Sequence, residues 1–124
     1  MSHFTRVKTE IRDPWALIRA LKTLGYTTPN GDAITANSGQ RTAPMQVVAA
    51  KGALRIRFVK SDSLDATYEM GADWGKEKQR LVGEILQAYA QEKILTMARE
   101  KGYMVLRNRT VTDGRVEILL RKAS

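Results

Sequence analysis

The stretch Val7-Lys8-Thr9-Glu10-Ile11-Arg12-Asp13-Pro14-Trp15-Ala16-Leu17-Ile18-Arg19-Ala20-Leu21-Lys22-Thr23-Leu24-Gly25 decides the fold class. Val7, Thr9 and Ile11 alternate with Arg6, Lys8, Glu10 and Arg12, the period of two expected of a strand with one buried face. Asp13 then offers a carboxylate to the free amides of a helix start. Pro14 suits the first helical position, where no amide partner is lost, and Gly25 suits a left-handed residue past the helix end. Leu17, Leu21 and Leu24, with Ile18, form the apolar stripe, and Trp15 in the first turn is expected to pack on the rim of the sheet. Strand and capped helix in immediate succession make this an α+β chain.

Outward from that unit, residues 27–44 hold turn formers, including Asn30-Gly31 and Ser38-Gly39, and little to bury, so a long loop is expected there. Neither Gly39 nor Lys51-Gly52 lies in a phosphate-loop pattern. Lys51-Gly52 reads as the turn between strands Met45 to Ala50 and Ala53 to Val59. Leu54, Ile56 and Phe58 alternate with Arg55 and Arg57, and Leu64, Ala66, Tyr68 and Met70 alternate with Asp65, Thr67 and Glu69. A slip of one residue would turn one of these strands inside out. One register that keeps the apolar sets together pairs Ile56 with Tyr68, Phe58 with Ala66 and Arg55 with Glu69; another sets Arg57 against Asp65. In both, the outer arginines meet acids, which counts against Arg55 and Arg57 as a nucleic-acid face.

From about Lys76 to Lys101 there is no proline, and Val82, Ile85, Leu86, Tyr89, Ala90, Ile94, Met97 and Ala98 follow helical spacing. A helix of that span is roughly 39 Å long. It either fits across the sheet, breaks near Gly83, or overhangs into a partner. Gly102 ends it. A final hairpin follows, turning at Asp113-Gly114, the strongest short hairpin signal. Val116, Ile118 and Leu120 form its inward set. In the partner strand Tyr103 and Val105 are followed by Arg107 and Arg109, so the apolar phase fails in mid-strand, as a bulge or an overrunning edge would explain.

The chain of 124 residues is one domain by length and carries no cysteine, which removes disulfides, thiol catalysis and cysteine-held metal sites together. No apolar run approaches the ~20 residues that span a bilayer, and no hydrophobic signal region follows Met1, so a cytoplasmic protein without membrane attachment is expected. The net charge of +8 is uneven: +7 over residues 1–60, −3 over 61–100 and +4 over 101–124. Such a field steers nucleic acid, anionic lipid and acidic protein alike. Arg107, Arg109, Arg115, Arg121 and Lys122 could form one basic patch on the last hairpin, where they also protect an edge.

Catalysis has little to stand on. His3 is the only histidine, and no second histidine, thiol or Gly-x-Ser-x-Gly elbow accompanies it. Asp62, Asp65, Glu69 and Asp73 are clustered in sequence, but a hard-cation site would need a recognisable loop of oxygen ligands, so neither metal nor cofactor is expected.

Three blocks carry a family resemblance: Ser2-His3-Phe4 with Lys8-Thr9 and Leu24-Gly25-Tyr26; Tyr89-Ala90 through Ile94-Leu95, Ala98 and Lys101-Gly102-Tyr103; and Asp113-Gly114 with Val116, Ile118, Leu120 and Arg121. On these the chain resembles the hypothetical chloroplast reading frame thirty-five family, of unknown function, from plastids, cyanobacteria and other bacteria. The chain departs from that family's pattern in carrying Arg107 and Arg109 and in lacking a terminal tryptophan after Lys122. The resemblance implies a gene neighbourhood of small ferredoxins and AAA-type ATPases, and so a subunit or adaptor of a larger assembly.

Together these readings give a single α+β domain over 1–124, a mainly antiparallel sheet with two helices on one face in the order β-α-β-β-β-α-β-β. The expected function is a non-catalytic interaction module with an unidentified protein partner, or with a second copy through the long helix or a sheet edge. The alternative is nucleic-acid or other polyanion binding through the basic termini. An enzyme using His3 is a third reading, without a second catalytic residue to support it. The candidate binding residues are His3, Arg107, Arg109, Arg115, Arg121 and Lys122.

Overall fold

The structure, a computed structural model, describes residues 4–29, 31, 43–62, 66–110 and 116–122. Among them the elements run β1 (Phe4–Lys8), α1 (Pro14–Thr23), β2 (Gln46–Lys51), β3 (Leu54–Lys60), β4 (Tyr68–Asp73), α2 (Lys78–Glu100), β5 (Tyr103–Thr110) and β6 (Val116–Lys122). This is the α+β order expected. No helix among the described residues is long and apolar enough to cross a membrane. The chain divides into two compact units, residues 1–89 and 90–124.

In the first unit four antiparallel strands lie in the order β1-β4-β3-β2. α1 forms as its sequence directs. The Asp13 carboxylate accepts the amides of Trp15 and Ala16 at 3.0 and 3.1 Å, Pro14 opens the first turn, and Gly25 adopts φ +90°. The Gly25 and Tyr26 amides then donate back to the carbonyls of Lys22 and Leu21, which satisfies the last turn. Lys51 at the end of β2 donates to the Leu24 carbonyl at 2.8 Å and lies over the Tyr26 ring, placing a cation at the negative end of the helix. Leu17, Ile18 and Leu21 are fully buried against Val47, Ala49, Ile56, Phe58, Tyr68, Met70 and Ala72, the inward residues of the sheet. Leu81, Val82, Ile85, Leu86 and Tyr89 of α2 complete this core, so both helices use the same face. α2 runs unbroken through Gly83, contrary to one of the readings above, and is about 35 Å long.

Three sequence readings shift. β1 begins at Phe4 and ends at Lys8, before Thr9 and Ile11, because the Thr9 hydroxyl donates to the Tyr68 carbonyl at 2.5 Å and accepts the Ile11 amide at 3.1 Å. That local bond turns the chain out of the ladder while keeping Ile11 buried. The Tyr89 hydroxyl oxygen accepts the next two amides, those of Arg12 and Asp13. β4 begins later than expected. Ala66 has φ +51°, a left-handed conformation outside extended structure, and the strand runs from Tyr68 through Gly71 to Asp73. The register shifts with it: Ile56 faces Ala72, Phe58 faces Met70 and Val59 faces Glu69. The parity is the one expected, but Arg57 lies across from Gly71, and the Arg55 guanidinium donates to the Gly52 and Leu54 carbonyls. Leu64 and Asp65, counted as strand above, lie outside the described residues, as does most of the expected loop of 27–44. At its start, Thr27 bridges to Ala50.

In the second unit, α2 from residue 90 onward is followed by the two-stranded sheet β5-β6. The expected phase failure is a bulge: Val105 pairs with Leu120, Leu106 is skipped, and Arg107 pairs with Leu119. Tyr103 and Val105 therefore share a face with Leu120 and Lys122, whereas Arg107 shares the other with Leu119, Arg121 and Met104. Gln91 and Asn108 are hydrogen-bonded to each other by their side-chain amides. The Asp113-Gly114 turn lies outside the described residues.

Candidate binding surfaces

The residues singled out from sequence fall in different places. His3 and Arg115 lie outside the described residues, and for Arg109 only the backbone register is described, opposite Glu117. Arg107 and Arg121 share one face of the hairpin; Lys122 lies on the other. Arg107 reaches Glu117 at 3.5 Å, and the Arg121 guanidinium approaches the Met104 sulfur at 3.7 Å. The hairpin presents apolar side chains to solvent as well as charge. Leu106 is 50 % exposed and Leu119 47 %, and Tyr103, Met104 and Val105 are exposed beside them. An isolated two-stranded hairpin is at best marginally stable in water, and this one covers its own apolar surface poorly.

A second surface was not singled out from the sequence: the face of the four-stranded sheet opposite the helices. Across its middle the register aligns Arg6, Gly71, Arg57 and Val48; the next row holds Lys8, Glu69, Val59 and Gln46, and on the other side Phe4 faces Asp73 and Arg55 faces Ala50. Phe4 is 58 % exposed, and its ring leans over Gly71. A β-carbon at position 71 would stand 2.6 Å from the ring's Cζ and 3.1 Å from Cε1, closer than any side chain tolerates, so only glycine leaves the seat that the ring occupies. Gly71 is buried beneath it.

Phe4, Arg6, Arg57, Val59, Lys60 and Gly71 border a shallow depression of about 230 Å³. A second hollow of about 410 Å³ continues past Lys8 and Arg12 and shares Ser61 and Glu69 with the first. Glu69 reaches Arg6 at 3.9 Å, a distant contact between partly exposed groups. Such pairs contribute little and leave the cation free to take another anion. Strand spacings of about 4.8 Å put the Arg6 and Arg57 backbones about 10 Å apart on either side of Gly71. The sequence signal for this surface was present in the shared phase of Phe4, Arg6 and Lys8. It is obscured in the sequence because Phe4 adjoins the terminal segment and because registers that differ by two residues set Arg55 or Arg57 against acids.

Inside the first unit, two phenols are perturbed. Burial, and more weakly the charge of Asp13, pushes Tyr68 up to about 12. Tyr26 is also raised, chiefly by burial and then by Glu84, with Arg80 opposing. Neither borders the open face's first depression, and the Tyr68 hydroxyl is engaged with the Pro44 carbonyl at 2.5 Å, as a structural tie.

A family model described as a protein of unknown function (DUF1257) matches residues 20–119 of the chain. No curated protein matches, and no solved structure matches.

Proposed function

Because the chain belongs to the DUF1257 family of proteins of unknown function, its role has to be argued from its own surfaces, and we propose that it is a non-catalytic interaction module, a small subunit or adaptor of a larger assembly working in the cytoplasm. Within that family we place it beside the chloroplast reading frame thirty-five proteins, on the Leu24-Gly25-Tyr26 and Lys101-Gly102-Tyr103 blocks. The observation that carries the adaptor reading is the exposed apolar hairpin. Tyr103 and Val105 on one face of the hairpin, Met104 and Leu119 on the other, and Leu106 at the bulge expose apolar surface on both strands, and surfaces of that kind mark interaction sites.

Charge selects the kind of partner. Arg107, Arg121 and Lys122 border the apolar residues, with Glu117 the described acid beside them. A two-fold contact of this hairpin with its own copy would oppose like charges. A different protein, apolar at its centre and acidic at its rim, fits better.

The test uses the full chain with a photo-crosslinking residue at position 106 to identify the partner, followed by binding of the purified pair. Leu119→Arg is expected to weaken that binding at least tenfold while leaving the thermal transition of the chain within a few degrees of native. Retention of the partner by Leu119→Arg, or crosslinks only to a second copy of the chain, would refute the reading.

A further inference from the structure

We propose that the open face of the four-stranded sheet binds single-stranded nucleic acid, with a base stacked on Phe4 and the flanking phosphates held by Arg6 and Arg57. This site lies in the first unit and uses none of the hairpin's residues. Its parts are those such binding requires: an exposed aromatic ring, cations on both sides of it, and a sheet face along which a strand can lie. The ring is exposed yet seated, because Gly71 leaves room beneath it. Arg6 and Arg57 flank that seat in the register of the sheet, and Lys60, Lys8 and Arg12 continue the positive lining through the two adjoining hollows. Among the described residues that line the two hollows or pair with Phe4, the acids are Glu69, Glu10 and Asp73, and the cations Arg6, Lys8, Arg12, Arg57 and Lys60 outnumber them. Among the described residues of the first unit, the helices pack on the opposite face.

The chemistry distinguishes the occupant. A duplex hides its base faces in the stack and is read by an element that enters a groove, whereas this site is the open side of a sheet. An acidic peptide would use the cations but would give the exposed ring no stacking partner. Single-stranded nucleic acid uses both. Stacking tolerates any base, so affinity that depends weakly on sequence and strongly on salt is expected.

The experiment measures fluorescence anisotropy of the full chain with labelled 12-nucleotide single strands of RNA and DNA, a duplex of the same sequence and a polyglutamate peptide, over a salt series. The single strands are expected to bind tighter than the duplex and the peptide. Phe4→Ala should weaken single-strand binding by about 5- to 150-fold, with Phe4→Leu close behind, and should leave the salt slope unchanged. Gly71→Ala keeps every charge and the ring itself but displaces the ring from its seat, and should weaken binding in the same direction. Arg57→Gln should reduce the salt slope by about 0.7, as loss of one phosphate contact does. The double variant Arg121→Gln, Lys122→Gln, on the hairpin, should bind as the native chain does. Equal binding of duplex or peptide, native affinity in Phe4→Leu and Gly71→Ala, or a loss in the hairpin variant matching that of Arg57→Gln would each overturn the proposal. None of these outcomes bears on the partner expected at the hairpin.

Discussion

Tyr68→Phe should change sign in its effect on stability as pH rises. Tyr68 is 1 % exposed, and its hydroxyl donates to the Pro44 carbonyl at 2.5 Å, tying β4 to the chain just before β2. At neutral pH the variant loses that bond and leaves the carbonyl one partner short, a loss of about 0.5–1.5 kcal/mol. At high pH the ionisation of the phenol enters. Its pKa is about 12 in the folded protein, raised first by burial and then by Asp13, against 10.0 for the ordinary group. Below pH 10 the phenol is protonated in both states and its stabilising contribution is complete. As pH rises from 10 towards 12 the unfolded chain gives up the proton while the folded protein retains it. The native protein therefore loses up to about 1.4 kcal/mol per pH unit from this group, or about 2.7 kcal/mol across the window. The phenylalanine variant has no such loss, because it has nothing there to ionise. The two stability curves should cross near about pH 11, with the variant the less stable below and the more stable above. Urea unfolding followed by circular dichroism at intervals from pH 7 to 11.5 gives both curves, and Tyr26, common to both proteins, cancels in the difference. A stability difference that stays constant over that range would refute the account of Tyr68 as a desolvated, hydrogen-bonded phenol.

Two further predictions concern the framework. Ile85→Ala empties a fully buried position between α2 and the sheet and should cost about 2–5 kcal/mol, whereas Met97→Ala, 47 % exposed on the same helix, should stay within about 0.5 kcal/mol; chemical denaturation of the two variants compares them directly. Asp13→Ala removes the acceptor of the Trp15 and Ala16 amides and should lower stability by about 1 kcal/mol, with Asp13→Asn recovering most of it, as read from shifts in the denaturation midpoint.

Local chemistry was legible wherever a residue's role depended on its neighbours in sequence. Asp13, Pro14 and Gly25 marked the ends of α1 because a carboxylate, a ring-locked φ and a missing β-carbon each suit one position of a helix. The failed phase between Val105 and Arg107 indicated the bulge for the same reason. Relations across strands were harder. The even parity of the β3-β4 pairing followed from the apolar sets, but the choice among even registers turned on Ala66, whose left-handed backbone delays β4, and on Gly71, which belongs to the strand because a residue from β1 rests on it. Arg57 looked neutralised only while its opposite number was taken for an acid. The basic patch on the hairpin was legible in part: Arg107 and Arg121 share a face, and the bulge is what separates them from Tyr103 and Val105. Lys122, counted in the same patch, lies on the other side.

The bulge at Leu106 makes the surface of the second unit a property of chain length as much as of residue type. With Leu106 deleted, Val105 and Arg107 would become neighbours opposite Leu120 and Leu119, so the ladder would run straight and every side chain would keep its face. A deletion at a paired position such as Asn108 would instead carry the residues beyond it to the other side of the sheet. Loss of a residue should therefore be tolerated at 106 and resisted at the paired positions on either side of it.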